Sequence, residues 1–306
     1  MMDILYIAGA GRSGSTLLER ILGQLEGCVA VGELRHLWRD DPATTLCGCG
    51  RFIAECDFWL AALVPVLERF DQSGFRAMLE AQQSVDRIRY VPAMRSGVLA
   101  NRKFRLRQAQ YCGHLRHMYQ AFLATSGDAI VVDSSKDIST LHLLAAMPDV
   151  RVRILHLVRD SRAVAYAWTK EKVRPNVVGQ LTYMVRYSPR QSAADWMVRN
   201  LLTEAARGST AGYMRVRYED LIANPRRTVT DIAAFLQLTG ADLSFIGASG
   251  IEFPKENHAI GGNPMRFAEG EVRLQLDSAW KEQISPMDRR IVTALSWPLL
   301  QRYKYL

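Results

Sequence analysis

Gly9-Ala10-Gly11-Arg12-Ser13-Gly14-Ser15-Thr16 is the stretch of this 306-residue chain best suited to hold an anion. Glycines let a backbone approach its ligand closely, and amides at the start of a helix point their N–H groups at negative charge. The spacing follows the phosphate-binding pattern G-x-x-x-x-G-K-[ST], but Ser15 stands where that pattern has its lysine. Nucleoside triphosphatases place that lysine on the β- and γ-phosphates, so its loss argues against their chemistry. Arg12 offers positive charge from within the loop instead. Gly11, Arg12, Ser13, Gly14, Ser15 and Thr16 are thus candidate phosphate ligands, the alternative being a tight glycine turn with no ligand.

Glu33 ends the run Val29-Ala30-Val31-Gly32-Glu33. A helix over Ser15–Leu25 rises about 1.5 Å per residue, and the strand after it returns at about 3.3 Å per residue, so the two nearly cancel. Glu33 therefore comes back to the level of the phosphate loop, where a carboxylate can remove a proton as a general base. The alternative is a surface glutamate paired with Arg35 or His36. Lys136 closes Asp133-Ser134-Ser135-Lys136 and is a compact cation suited to a leaving oxygen or a sulfonate. Asp133 or Ser134 can cap the helix that follows without occupying that lysine.

Arg12-Ser13-Gly14-Ser15-Thr16-Leu17-Leu18 resembles the 5′-phosphosulfate loop of sulfotransferases that use 3′-phosphoadenosine 5′-phosphosulfate (PAPS), in particular the carbohydrate, tyrosylprotein and bacterial branches. The resemblance recurs along the chain. The Gly32-Glu33 step is similar to the one that holds the family's proposed base, and the Ser135-Lys136 step to one that sets a lysine by the sulfonate. Leu157-Val158-Arg159-Asp160-Ser161-Arg162 resembles the 3′-phosphate motif, which implies that Arg159 grips that phosphate with its planar fork. The serine usual eight residues later is Ala167 here, so one hydroxyl contact is missing. Arg217-Tyr218-Glu219-Asp220-Leu221 resembles the family's Tyr-Glu-Asp-Leu segment, which implies Tyr218 against adenine and a structural role for Glu219 and Asp220. Gly262-Asn263-Pro264-Met265-Arg266-Phe267 resembles a C-terminal loop of bacterial members, which implies Arg266 as a second 3′-phosphate ligand.

Taken together, the resemblance implies in-line sulfuryl transfer from PAPS to an acceptor hydroxyl of a glycan, lipid, peptide tyrosine or secondary metabolite. Glu33, Arg12 and Lys136 are then the catalytic residues, and no catalytic metal is called for. A small-metabolite kinase and a noncatalytic nucleotide-binding protein on the same fold are the competing readings.

These residues need a scaffold that brings distant segments to one edge. Short apolar runs alternating with helical periodicity predict an α/β fold: a P-loop-like parallel sheet flanked by helices. Strands are expected at Ile4–Ala8, Cys28–Val31, Ala129–Val132, Val152–Val158 and Tyr213–Arg217, with helices at Ser15–Leu25, Thr140–Ala146, Ser161–Trp168 and Arg227–Leu236. A connection as long as residues 34–128 must carry its own structure. The runs Phe58–Phe70 and Gln110–Leu123 read as helices of a cap inserted into a single domain over residues 1–306. Lys170–Asp195 and Ile251–Phe267 read as irregular segments that could cover a ligand.

The formal net charge of +8 suits an anionic ligand, although no nucleic-acid-binding motif accompanies it. No apolar run has the length of a membrane span, and no secretory leader precedes Ile4; the expected location is the cytoplasm. Five cysteines, an odd number in a long chain, do not suggest a secreted disulfide framework. Cys47, Cys49 and Cys56 leave three states open: a zinc clip with His36 as a conceivable fourth ligand, a disulfide, or free thiols. Cys28 and Cys112 read as core residues. The basic run Arg102–Arg107 reads as a solvated helix face rather than an acceptor-steering patch, and Arg35, His36, Arg39 and His258 are candidates for the acceptor side. The sequence does not indicate an oligomeric state.

Overall fold

A computed structural model describes residues 1–96, 100–171, 173 and 183–306. Five parallel strands form the central sheet: β1 (Met2–Ala8), β2 (Cys28–Gly32), β3 (Ile130–Lys136), β4 (Val150–Val158) and β5 (Gly212–Arg217). Their order is β2-β3-β1-β4-β5, so the chain changes direction across β1. Open α/β sheets hold ligands at such a switch point, beyond the strands' carboxyl ends. The loop at Gly9–Gly14, Glu33, Lys136, Arg159 and Tyr218 all stand at those ends.

Period-two alternation gives the sheet two buried faces. Leu5 and Ile7 of β1 pack with Leu18, Val132 and Leu155, whereas Ile4 and Tyr6 pack with Trp59, Phe122 and Val131. That second face lies under the segment between β2 and β3, whose helices run over Asp57–Leu63, Gln72–Val85 and Arg102–Ser126. The helix expected over Phe58–Phe70 therefore stops at Leu63, and Gln110–Leu123 is the middle of a 25-residue helix. Its basic start, Arg102–Arg107, is largely exposed, as a solvated face should be.

The expected strands lie within two residues of the observed ends, except that β3 continues to Lys136. An irregularity in the β1–β3 register sets Tyr6 opposite Asp133 but Ala8 opposite Lys136, with one extra residue on β3. Lys136 takes a positive φ of 66° there, which turns the strand's end toward the phosphate loop.

Two expectations need correction. Pro189 does not break structure but opens the helix Pro189–Ala206, behind a capping box made by Ser188 and Gln191. Most of the rest of the Lys170–Asp195 segment lies outside the described residues. The Ile251–Phe267 segment begins as β6 (Gly250–Phe253), which pairs with β7 (Gly270–Arg273) as an antiparallel hairpin. Among the described residues, no helix is long and apolar enough to cross a membrane.

Candidate active site

A cavity of about 610 Å³ opens at the switch point, within the usual range for small-molecule sites. Its floor is the phosphate loop, which leads into the helix Ser15–Leu22. Gly14 precedes that helix in the left-handed conformation, φ 93°, and a Cβ added there would meet the Tyr218 ring at 2.4 Å. Only glycine fits, because both the backbone angle and the aromatic contact reject a side chain. At Gly11 the restriction is contact alone, since a Cβ would meet the Trp168 ring at 2.7 Å. Ser13 turns its hydroxyl inward to the Ala10 carbonyl at 2.7 Å, which braces the loop.

A lysine from the neighbouring strand β3 stands at Ser15, the position where the phosphate-binding pattern has its own lysine. Lys136 Nζ donates to Ser15 Oγ at 3.1 Å and to the Ser134 carbonyl at 2.8 Å, and it pairs with the Glu33 carboxylate. All three ammonium hydrogens thus have acceptors. Burial alone would raise the Glu33 carboxyl, but Lys136 and His36 outweigh it and hold the group below the usual carboxylate range. Burial pushes His36 down to about 4, so at neutral pH it is an uncharged imidazole with Nε2 3.4 Å from Glu33. The sequence-level alternative of a Glu33–His36 pair is realised inside the cavity, alongside the lysine contact.

Arg12 adopts φ 63° and lies over the Trp168 ring at 4.8 Å, with its Nε buried and unpartnered. Arg159 is 8% exposed, donates to the Arg12 carbonyl at 3.1 Å, and stacks on Tyr218 at 4.6 Å. Ala167, Trp168 and Lys170 line the wall beside it. Glu219 is structural, accepting from the Asp160 amide at 3.2 Å and the Tyr305 hydroxyl at 2.6 Å. The opposite wall is a charged network: Arg35 bridges Asp86 and Asp137 at 3.2 and 3.4 Å, and Arg199 joins Asp137 and Asp195 at 3.4 and 2.9 Å. Among the described lining residues, seven basic side chains face four carboxylates, which favours an anionic ligand.

Arg266 is not among the cavity's lining residues. Its guanidinium is 1% exposed and donates to the carbonyls of Leu46, Gly261 and Ala259 at 2.7, 3.2 and 3.4 Å. It shapes the loop that reaches the cavity instead. Ile260 of that loop forms a parallel bridge with Gly32, and the Asn263 amide donates to Thr16 Oγ1 at 3.1 Å. Gly261 and Gly262, both at positive φ, lie against Glu33 and Thr16. Of the acceptor-side candidates, Arg35, His36 and Arg39 line the cavity, whereas His258 stands with the cysteines. His36 is not the cysteines' neighbour.

Glu19 carries a consequence that the motifs do not announce, although an acid on the apolar face of Leu17-Leu18-Ile21-Leu22 is a visible signal. It is 2% exposed below the loop and accepts from Ser134 Oγ at 2.7 Å. Burial raises its carboxyl to about 8, so the folded protein keeps it protonated at neutral pH. Unfolding then releases a proton. The stabilisation is complete below the ordinary carboxylate range and is lost as pH rises through 8, at about 1.4 kcal/mol per pH unit. Glu19→Gln should therefore gain stability relative to the parent between pH 6 and pH 8.5 in urea unfolding. An offset independent of pH would remove Glu19 as the cause.

A family model for the sulfotransferase family matches residues 5–242. Among solved structures, the sulfotransferase domain from the Synechococcus PCC 7002 olefin synthase is similar at a TM-score of 0.51 and 18% identity, covering 97% of this chain and 94% of that one. The sulfotransferase domain from the curacin biosynthetic pathway matches at 0.49 and 14% identity, covering 97% and 98%. No curated protein matches the sequence. The strand-end cluster of loop, glutamate, lysine and arginine and the family match over most of the chain agree: this chain belongs to the sulfotransferase family.

Proposed function

We propose that the chain transfers a sulfuryl group from PAPS to an acceptor hydroxyl of a glycan, lipid or secondary metabolite. The observation that carries this reading is the placement of Lys136 Nζ at Ser15 Oγ, beside Glu33, at the rim of the phosphate loop. The residues fit such a donor. Gly11 and Gly14 let the loop pack directly on the Trp168 and Tyr218 rings, Arg12 keeps a buried Nε without a partner, and Arg159 adds a second cation against the loop at the Arg12 carbonyl. When bound, PAPS supplies a sulfuryl group activated by its phosphosulfate linkage.

Each side chain then has one task. Loop amides from Ser13 to Thr16 bind the 5′-phosphate, and Arg159 binds the 3′-phosphate beside Tyr218, which packs on adenine. Ala167 offers no hydroxyl there. Glu33, ionised at neutral pH, takes the proton of the acceptor hydroxyl. Arg12 and Lys136 stabilise the charge that develops on the sulfonate and on the departing oxygen. Arg35, His36, Arg39 and Arg199 line the side of the cavity left for the acceptor. A cytoplasmic location belongs to the same reading, supported by the odd number of cysteines in a long chain.

Calorimetric titration with adenosine 3′,5′-bisphosphate, beside ATP–Mg²⁺ and 5′-AMP, tests the donor site. The bisphosphate should bind tightest, and Arg159→Ala should weaken it by about tenfold to a hundredfold, the value of a charge-assisted hydrogen bond. Preference for ATP–Mg²⁺ would replace this reading with a kinase. Tight bisphosphate binding without turnover on any hydroxyl acceptor would leave a noncatalytic binder.

A further inference from the structure

Cys47, Cys49, Cys56 and His258 converge although His258 lies 202 residues beyond Cys56. Their ligand atoms all fall within 4.8 Å of one another. The Cys47–Cys56 and Cys49–Cys56 sulfur separations are both 3.8 Å. His258 Nδ1 stands 3.6 Å from Cys47 Sγ and 3.4 Å from Cys56 Sγ. Zinc held by thiolates at about 2.3 Å and imidazole at about 2.0–2.1 Å in a tetrahedron spaces sulfurs about 3.8 Å apart, and sulfur from nitrogen about 3.6 Å. A disulfide needs about 2.05 Å between sulfurs, close to half the observed separation.

The surroundings are built for the same end. Cys47 and Cys56 are fully buried, while Cys49 and His258 are partly exposed and leave a route for an ion to enter. Cys47-Gly48-Cys49-Gly50 folds into a tight knuckle, in which the Cys47 amide donates to Arg51 and the Gly50 amide returns to Cys47 at 3.0 Å. Gly48 has no room for a side chain, because a Cβ would meet Asn257 at 1.9 Å. The His258 ring stacks on Phe58 at 4.6 Å and 8°, and its carbonyl accepts from Trp59 Nε1 at 3.0 Å, so Nδ1 is held toward the sulfurs. Such outer contacts orient a metal-binding imidazole.

We propose that Cys47, Cys49, Cys56 and His258 bind one structural zinc ion through three thiolates and Nδ1. With four protein ligands the site has no open position, which assigns it to structure and not to catalysis. It ties the segment between β2 and β3 to the loop that, three residues after His258, places Gly261 and Gly262 against Glu33 and Thr16. Zinc here would fix a wall of the sulfotransferase cavity from outside it.

Full-length protein purified under reducing conditions without chelator should carry one zinc per chain by elemental mass spectrometry. Replacement by Co²⁺ should give the intense visible bands of a tetrahedral thiolate site. His258→Ala should lower zinc retention at least tenfold, whereas His258→Cys, which restores four ligands, should keep the ion. Reduced parent protein that neither retains zinc nor takes up Zn²⁺ or Co²⁺ would overturn the proposal, as would a disulfide among the three cysteines in protein handled anaerobically. The parent measurements stand even if a variant fails to fold.

Discussion

Glu33→Gln is expected to lower the turnover of sulfuryl transfer by a factor on the order of 10²–10⁴, the usual contribution of a general base. Affinity for adenosine 3′,5′-bisphosphate should stay within a few fold. Glutamine preserves the shape of the side chain and its approach to Lys136 but cannot take a proton. Because Lys136 and His36 hold the Glu33 carboxyl below the ordinary range, the parent enzyme should lose activity only in clearly acidic solution. An assay of turnover beside bisphosphate titration separates the roles. Near-full turnover in the variant would remove Glu33 as the base, and lost bisphosphate affinity would make it a binding residue.

Lys136→Ala has the second large effect, with an expected loss on the order of 10²–10³ in turnover, as for deletion of one donor that stabilises transition-state charge. The substitution also leaves Glu33, itself only 14% exposed, without its main counter-charge. Its carboxyl should then rise, so the acid limb of the pH–rate profile moves to higher pH. That displacement distinguishes removal of a charge from a general loosening of the site. Lys136→Arg should rescue poorly, because the larger planar cation cannot make the same compact contacts to Ser15 Oγ and the Ser134 carbonyl. An unmoved acid limb with full turnover would show that the pair does not govern catalysis.

The sheet was legible because its inner strands carry short apolar runs buried on both faces, as at Ile4–Ala8 and Val152–Val158, whereas the edge strand β5 is only partly buried. The strand-end residues were legible because their order along the chain is the order in which each strand delivers them. What escaped depends on long-range contact. The helix Pro189–Ala206 has little amphipathic contrast, with Arg190, Asp195 and Arg199 spread among small residues, so its contribution of Arg199 to the cavity went unread. The extra residue on β3 that presents Lys136 has no local sequence signal. Arg266 could be placed in the right loop but not oriented, since a loop's composition does not say which carbonyls it must satisfy. His258 could not be joined to Cys47, Cys49 and Cys56 by spacing alone.

The order β2-β3-β1-β4-β5 also bears on how the chain is made. β1 sits in the middle of the sheet yet is synthesised first, and its two partners begin only at Ile130 and Val150. At about 5–20 residues per second, β1 is synthesised roughly 6–24 seconds before the first residue of either neighbour. During that interval the apolar segment Ile4–Ala8 has both hydrogen-bonding edges open. The nascent chain should therefore depend on chaperones that shield its early apolar segments, and slowed translation between β1 and β3 should lower the soluble yield.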